Sequence, residues 1–155
     1  MAGEIDVAVL IGSNSDREVI EPCLSKLEQM GLKAEMEVRS AHRMPEKTRK
    51  YVEDAVKRGA KVFIAGAGMA AALPGYVASI TELPVIGVPV PTGLPDGMDA
   101  LLAMVQMPPG IPVATVAIGS AGARNAAVLA AEIIGINNEE VRDRIRAMRE
   151  EWRRD

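Results

Sequence analysis

The sequence has one cysteine, one histidine and few aromatic residues, and each scarcity excludes a class of protein. The lone Cys23 cannot form a disulfide within the chain or belong to a cysteine metal cluster, which fits a reducing compartment. A single histidine, His42, excludes most zinc sites, because those sites use several histidines or cysteines. Aromatic residues make up only 3% of the chain, so small aliphatic side chains must fill the core. We therefore expect a protein that holds no metal ion.

Long apolar runs and an excess of positive charge are also absent. No run approaches the roughly 20 apolar residues of a membrane-spanning helix, and no basic stretch followed by an apolar signal segment opens the chain. Lys and Arg total 18 against 21 Asp and Glu, a net charge of −3, whereas a nucleic-acid-binding protein shows a basic face. We expect a cytoplasmic protein that binds neither nucleic acid nor membrane and whose residues 1–155 form one domain.

Short apolar runs alternate with helical patterns along the whole chain. Strands are predicted at about 5–11, 34–38, 61–66, 83–90 and 113–118. Helices are predicted at about 17–30, 45–58, 76–81, 98–105, 121–134 and 138–153. This alternation predicts an α/β fold: a three-layer α/β/α, flavodoxin-like parallel sheet of about five strands. The last helix either docks on its own domain or reaches a neighbouring subunit.

The loop after the second predicted strand contains the only histidine of the chain. His42 lies in the segment Ser40-Ala41-His42-Arg43-Met44-Pro45, and Pro45 is well placed to open the next helix. Imidazole is the side chain suited to proton transfer near neutral pH, and open α/β sheets bind ligands at the carboxyl ends of their strands. An isolated loop histidine is more often simply exposed to solvent. The adjacent Arg43 and two neighbouring loops favour a functional role.

Two further loops are expected at the same edge of the sheet. The segment Gly12-Ser13-Asn14-Ser15-Asp16 joins a strand to a helix N-terminus, where backbone N–H groups and serine hydroxyls favour an anion; the same residues also suit ordinary helix capping. Residues 66–75 are rich in glycine and alanine and carry no charge, which suits close approach to a small uncharged ligand or a tight connection. Together the three loops predict proton transfer on a phosphorylated small molecule without a metal or nucleotide cofactor.

Six segments in order along the chain resemble the PurE family. They are Gly12-Ser13-Asn14-Ser15-Asp16, Ser40-Ala41-His42-Arg43, Gly66-Ala67-Gly68, Leu73-Pro74-Gly75, Pro84-Val85-Ile86-Gly87-Val88-Pro89-Val90 and Val105-Gln106-Met107-Pro108. The resemblance implies a carboxylation step of purine biosynthesis. The last two segments are similar to the bacterial-type, class I mutase, which isomerises N5-carboxyaminoimidazole ribonucleotide to the 4-carboxy compound. The alternatives are a carboxylase that uses CO2 directly and a noncatalytic homologue that binds a phosphoribosyl ligand.

The resemblance also implies the role of individual residues and a homo-oligomer, an octamer in this family. His42 is expected to move the proton, and the loop from Gly66 to Leu73 to enclose CO2. The expected substrate-binding residues are Gly12, Ser13, Ser15, Asp16, Ser40, Ala41, Arg43, Gly66, Ala67, Gly68, Ala70 and Leu73. The family commonly has glycine and a second histidine where this chain has Met69 and Ala72.

Overall fold

In the computed structural model, which describes residues 3–154, a five-stranded parallel sheet lies between two layers of helices. The strands are β1 (Val7–Ile11), β2 (Ala34–Val38), β3 (Val62–Ala67), β4 (Val85–Pro89) and β5 (Ala114–Thr115). The helices are α1 (Arg17–Gln29), α2 (Pro45–Lys57), α3 (Ala72–Ile80), α4 (Met98–Val105), α5 (Ser120–Gly135) and α6 (Glu139–Trp152). Two short 3-10 turns, Asn14–Asp16 and Pro95–Gly97, precede α1 and α4. The predicted flavodoxin-like α/β/α fold is confirmed.

The strand order β2-β1-β3-β4-β5 places β1 and β3 in the middle of the sheet. Both strands are buried along their whole length, because helices cover both faces of the sheet. Helices α1, α5 and α6 pack on one face, and α2, α3 and α4 pack on the other. Since all the strand pairs are parallel, the loops that follow β1, β2 and β3 emerge at one edge of the sheet.

Alanine fills much of the interior, as the scarcity of aromatic residues predicts. Helix α5 buries five alanines against the sheet and α1: Ala123, Ala126, Ala127, Ala130 and Ala131. Such small side chains let the helix approach its neighbours closely. Phe63 is the largest fully buried side chain among the described residues.

Two elements differ from their predicted bounds, and a third, the last helix, packs against its own chain. Helix α3 begins at Ala72 and not near Tyr76, because Pro74 falls in the first turn, where a missing N–H costs no helical hydrogen bond. Strand β5 has two residues only, because its regular ladder with β4 ends at Thr115, although Val116 and Gly119 still donate backbone hydrogen bonds to β4. Helix α6 docks on its own chain, where Val141, Ile145 and Met148 join the core.

A polar cluster attaches α2 to the edge strand β2. The carboxylate of Glu35 accepts hydrogen bonds from the hydroxyl of Tyr51, at 2.8 Å, and from the guanidinium of Arg58. The guanidinium of Arg39 lies 4.9 Å from the centre of the Tyr51 ring, a cation–π distance. The hydrogen bonds from Arg58 lower the pKa of Glu35, against the opposing effect of its partial burial, and the bond from Tyr51 lowers it further.

We expect Glu35→Gln to lower the free energy of unfolding by about 1 kcal/mol near neutral pH, through the loss of charge-assisted hydrogen bonds. Because folding lowers the pKa of Glu35, this stabilisation is complete above its ordinary pKa of 4.5 and is lost as the pH falls through the lower folded value. The difference in the free energy of unfolding between the unmodified protein and Glu35→Gln should therefore become smaller in acid. Urea unfolding at about pH 7 and about pH 3.5 measures it, with the exposed Glu53→Gln as control. A difference in the free energy of unfolding that stays constant or grows in acid contradicts the prediction.

Candidate active site

A cavity of about 480 Å³ opens at the edge of the sheet where β1, β2 and β3 end. Three loops form its walls: the loop between β1 and α1, the loop between β2 and α2, and the loop between β3 and α3. The lining residues are Gly12, Ser13, Ser15, Asp16, Ser40, Ala41, His42, Arg43, Ala67, Gly68, Met69, Ala70, Ala71, Ala72, Leu73 and Thr92. The topology therefore brings the three predicted loops together.

The first wall combines helix capping with a row of polar groups that face the cavity. The backbone N–H of Ser13 donates to Asp16 Oδ2 at 3.1 Å, and the hydroxyl of Ser15 donates to Ser13 Oγ at 3.0 Å. Ser13 Oγ also accepts from the backbone N–H of Ser15, which completes a capping box. Burial raises the pKa of Asp16, and the hydrogen bond from Ser13 partly opposes the rise. The same residues thus cap the turn and line the cavity.

The second wall is a tight loop that exposes His42 and Arg43. Ser40 is buried at its base, where its hydroxyl oxygen accepts from the backbone N–H of Arg43 at 3.1 Å and its carbonyl accepts from the N–H of Met44 at 3.0 Å. The guanidinium of Arg43 donates to the carbonyl oxygen of Gly12 at 3.2 Å. That bond joins the first and second walls and leaves other N–H groups of the guanidinium available for a ligand.

The third wall presents backbone and methyl groups without any charged side chain. Met69 and Ala71 adopt left-handed backbone conformations, with φ of 56° and 43°, which are unusual for residues other than glycine. Gly68 lies against the loop that follows β4: a Cβ atom there would stand 1.9 Å from Thr92 Oγ1, so any side chain at position 68 would push the two loops apart. This wall suits a small uncharged molecule.

Comparison with known proteins identifies the family. The family model described as AIR carboxylase matches residues 6–155. This chain belongs to the AIR carboxylase family. The resemblance to PurE that the six motifs indicate is confirmed.

Curated members of the AIR carboxylase family are similar to this chain over almost its whole length. An N5-carboxyaminoimidazole ribonucleotide mutase from Saccharolobus solfataricus is 53% identical over 149 residues, which cover 96% of this chain and 93% of the relative. A protein of the same name from Mycobacterium tuberculosis is 51% identical over 144 residues, covering 93% of this chain and 82% of the relative. The crystal structure of Treponema denticola PurE shares 29% identity, covers 96% of this chain and 91% of that one, and superposes with a TM-score of 0.86.

The cavity contains His42 and all but one of the expected substrate-binding residues. The exception is Gly66, where an added Cβ would meet Ile20 Cδ1 at 2.6 Å, so the open side of this glycine faces helix α1 instead of the cavity. Residues Met69, Ala71 and Ala72 line the cavity beside the expected members of their loop. Thr92 was missed; the signal that could have found it is its place after β4, since all parallel strands of a sheet end at one edge.

No helix among residues 3–154 is both long enough and apolar enough to cross a membrane.

Proposed function

We propose that this protein is an N5-carboxyaminoimidazole ribonucleotide mutase of purine biosynthesis. The observation that carries the proposal is one cavity in which the only histidine of the chain stands between a serine-rich loop with an arginine and an uncharged wall. That arrangement fits a phosphorylated substrate that undergoes proton and carboxyl transfer. Relatives about 50% identical over most of the chain carry this name, which supports the proposal.

The first and second walls are proposed to hold the phosphate and ribose of the substrate. The hydroxyls of Ser13 and Ser15 and the free N–H groups of Arg43 are donors suited to phosphate oxygens. Asp16 offers a carboxylate acceptor to a sugar diol, and Ser40 supports Arg43 from below. Anchoring the phosphoribosyl group in this way places the aminoimidazole ring toward the third wall.

His42 is proposed to carry the proton in an exchange that needs no other reactant. The bond between N5 and the carboxyl carbon breaks and releases CO2, while protonated His42 gives its proton to N5. Carbon 4 of the ring then attacks CO2, and His42 removes the proton from carbon 4 to restore the aromatic ring. The imidazole ends each turnover protonated, so atoms and charge balance.

The third wall is proposed to retain CO2 between the two steps. Residues from Ala67 to Leu73 offer methyl and backbone groups and no charged side chain to the cavity. A pocket of this kind holds CO2 beside carbon 4 and keeps water from hydrating it. Ala72 stands where the family commonly has a second histidine, so His42 is the only imidazole that this chain offers for the task.

An absorbance assay tests the proposed activity against direct carboxylation, which the description of the family suggests. Formation of 4-carboxy-5-aminoimidazole ribonucleotide is followed in the ultraviolet, in one reaction from freshly made N5-carboxy substrate and in another from aminoimidazole ribonucleotide with bicarbonate and CO2. Faster formation from the N5-carboxy substrate is the result expected. Product from the CO2 reaction alone identifies a carboxylase, and ligand binding without product in either reaction identifies a noncatalytic homologue.

We also propose that the protein is one domain that assembles into a cytoplasmic homo-octamer. Leu94, Met98, Leu102 and Val105 are exposed, and the last three follow helical spacing along one face of α4. An apolar stripe of this kind is typical of a surface that is buried between subunits. Light scattering should give a mass about eight times 16.5 kDa, the mass of one chain. A monomer mass at micromolar concentration contradicts the proposal.

A further inference from the structure

A fully buried threonine lies beneath the loop that carries His42. Thr48 is the fourth residue of α2, and its side chain does not line the cavity. Its Oγ1 atom stands 3.0 Å from the carbonyl oxygen of Met44 and 3.3 Å from that of Ser40. These two carbonyls lie at the two ends of the segment 40–44, which contains His42.

The contact with Met44 alone has an ordinary explanation, because a threonine in a helix often donates to the carbonyl four residues earlier. The contact with Ser40 does not share that explanation, since Ser40 lies eight residues back and outside the helix. A hydroxyl has one proton, and both carbonyl oxygens lie within hydrogen-bonding distance of it. Thr48 therefore offers one buried donor to both ends of the segment 40–44 and ties that segment to α2.

Two further hydrogen bonds to Ser40 hold the loop in shape. The carbonyl of Ser40 also accepts from the N–H of Met44, and the hydroxyl oxygen of Ser40 accepts from the N–H of Arg43. Met44 is the residue before α2 and makes no side-chain capping hydrogen bond. Between residues 3 and 154, no hydrogen bond to another residue orients the imidazole of His42, so its position follows the backbone of the loop.

We propose that Thr48 is a positioning residue for His42, an inference that rests on the proposed role of His42 in proton transfer. The buried hydroxyl of Thr48 keeps the loop closed, so that the imidazole stands within reach of the ring carbon of a bound substrate. Proton transfer is sensitive to such placement, because a displacement of about 1 Å costs about a hundredfold in rate. Phosphate and ribose binding should change less, because Ser13 and Ser15 lie on another loop and the guanidinium of Arg43 keeps its separate contact with the carbonyl of Gly12.

Thr48→Val tests the inference, because valine keeps the shape of threonine and removes its hydroxyl. Mutase turnover, kcat, should fall about tenfold or more, while the dissociation constant of the 4-carboxy product stays within about twofold. Thr48→Ser restores the hydroxyl and should restore most of kcat. The matched control is Thr115→Val in β5, which removes a hydroxyl that donates to the carbonyl of Val113, away from the cavity.

The proton resonances of the His42 ring give a second measurement that does not require turnover. Because the chain has a single histidine, these resonances are unambiguous. They should shift in Thr48→Val and coincide with the unmodified protein in Thr48→Ser and Thr115→Val.

Two outcomes overturn the role of Thr48. One is a Thr48→Val protein of lower thermal stability with unchanged kcat and unmoved His42 resonances, which makes the threonine merely structural. The other is a loss of kcat in Thr48→Ser as large as in Thr48→Val; if Thr48→Val does not fold, wild-type kcat and resonances in Thr48→Ser are still required. If the unmodified protein forms no product in the absorbance assay, that result refutes the proposed function and not the role of Thr48.

Discussion

Replacement of His42 by asparagine is expected to lower kcat about a thousandfold or more and to change the affinity for the 4-carboxy product by less than about threefold. Asparagine approximates the size and polarity of histidine but cannot take up and release a proton. The chain has no other histidine, and Ala72 stands where the family commonly has one, so no second imidazole can substitute. Binding survives because the phosphate contacts proposed for Ser13, Ser15 and Arg43 remain.

Turnover is measured by the absorbance assay, and affinity by calorimetry with the 4-carboxy product. His42 is exposed in the cavity, so free imidazole can reach its place when the side chain is removed. His42→Gly with added imidazole should therefore recover part of the lost activity, whereas His42→Asn should not. Substantial turnover in His42→Asn would refute the proton transfer by His42.

Arg43→Ala has the second largest expected effect, and it falls on binding. We expect the dissociation constant of the 4-carboxy product to rise about 10- to 100-fold, because charge-assisted hydrogen bonds to a phosphate contribute about 1.5–3 kcal/mol. The guanidinium also donates to the carbonyl of Gly12, so its loss loosens the contact between the first two walls. At saturating substrate kcat should fall much less, since His42 remains.

One further variant at this position separates charge from geometry, and a second variant elsewhere is the control. Arg43→Lys keeps the positive charge without the planar set of donors and should recover only part of the affinity. Arg49→Ala removes an exposed arginine from α2, the helix that follows this loop, outside the cavity and should leave both constants unchanged. An unchanged affinity in Arg43→Ala would contradict its proposed contact with phosphate.

The fold class and most of the strands and helices could be predicted from local sequence patterns alone. Apolar runs alternate with helical patterns, and glycine or proline stands at the boundaries, so β1, β2, α2 and α4 lie close to where the sequence predicts them. The larger differences occur where tertiary contacts decide the bounds. The run 113–118 is apolar enough for a longer strand, but only Ala114 and Thr115 form a regular ladder with β4. Beyond them the chain stays beside β4 through irregular backbone hydrogen bonds from Val116 and Gly119.

The candidate site follows the same division. His42, Arg43 and the serines after β1 could be identified from the sequence, because their loops follow strands and carry groups suited to proton transfer and anion binding. Gly66 could not be separated from Gly68 by sequence, although only Gly68 lines the cavity. That difference depends on tertiary neighbours: Ile20 of α1 lies against Gly66, whereas Gly68 follows the end of β3 and lies against Thr92 of the loop after β4.

The sequence by itself determined the fold class, the family and the one histidine available for proton transfer. These are properties of residue types and spacing, which are local. Only the tertiary structure decided that Gly66 stays out of the cavity formed by the three loops and that Thr92 joins it. It also decided that Thr48 lies beneath the His42 loop. Those relations arise when parallel strands align their carboxyl ends and helices pack across the sheet, and distances of that kind are not encoded in any one segment.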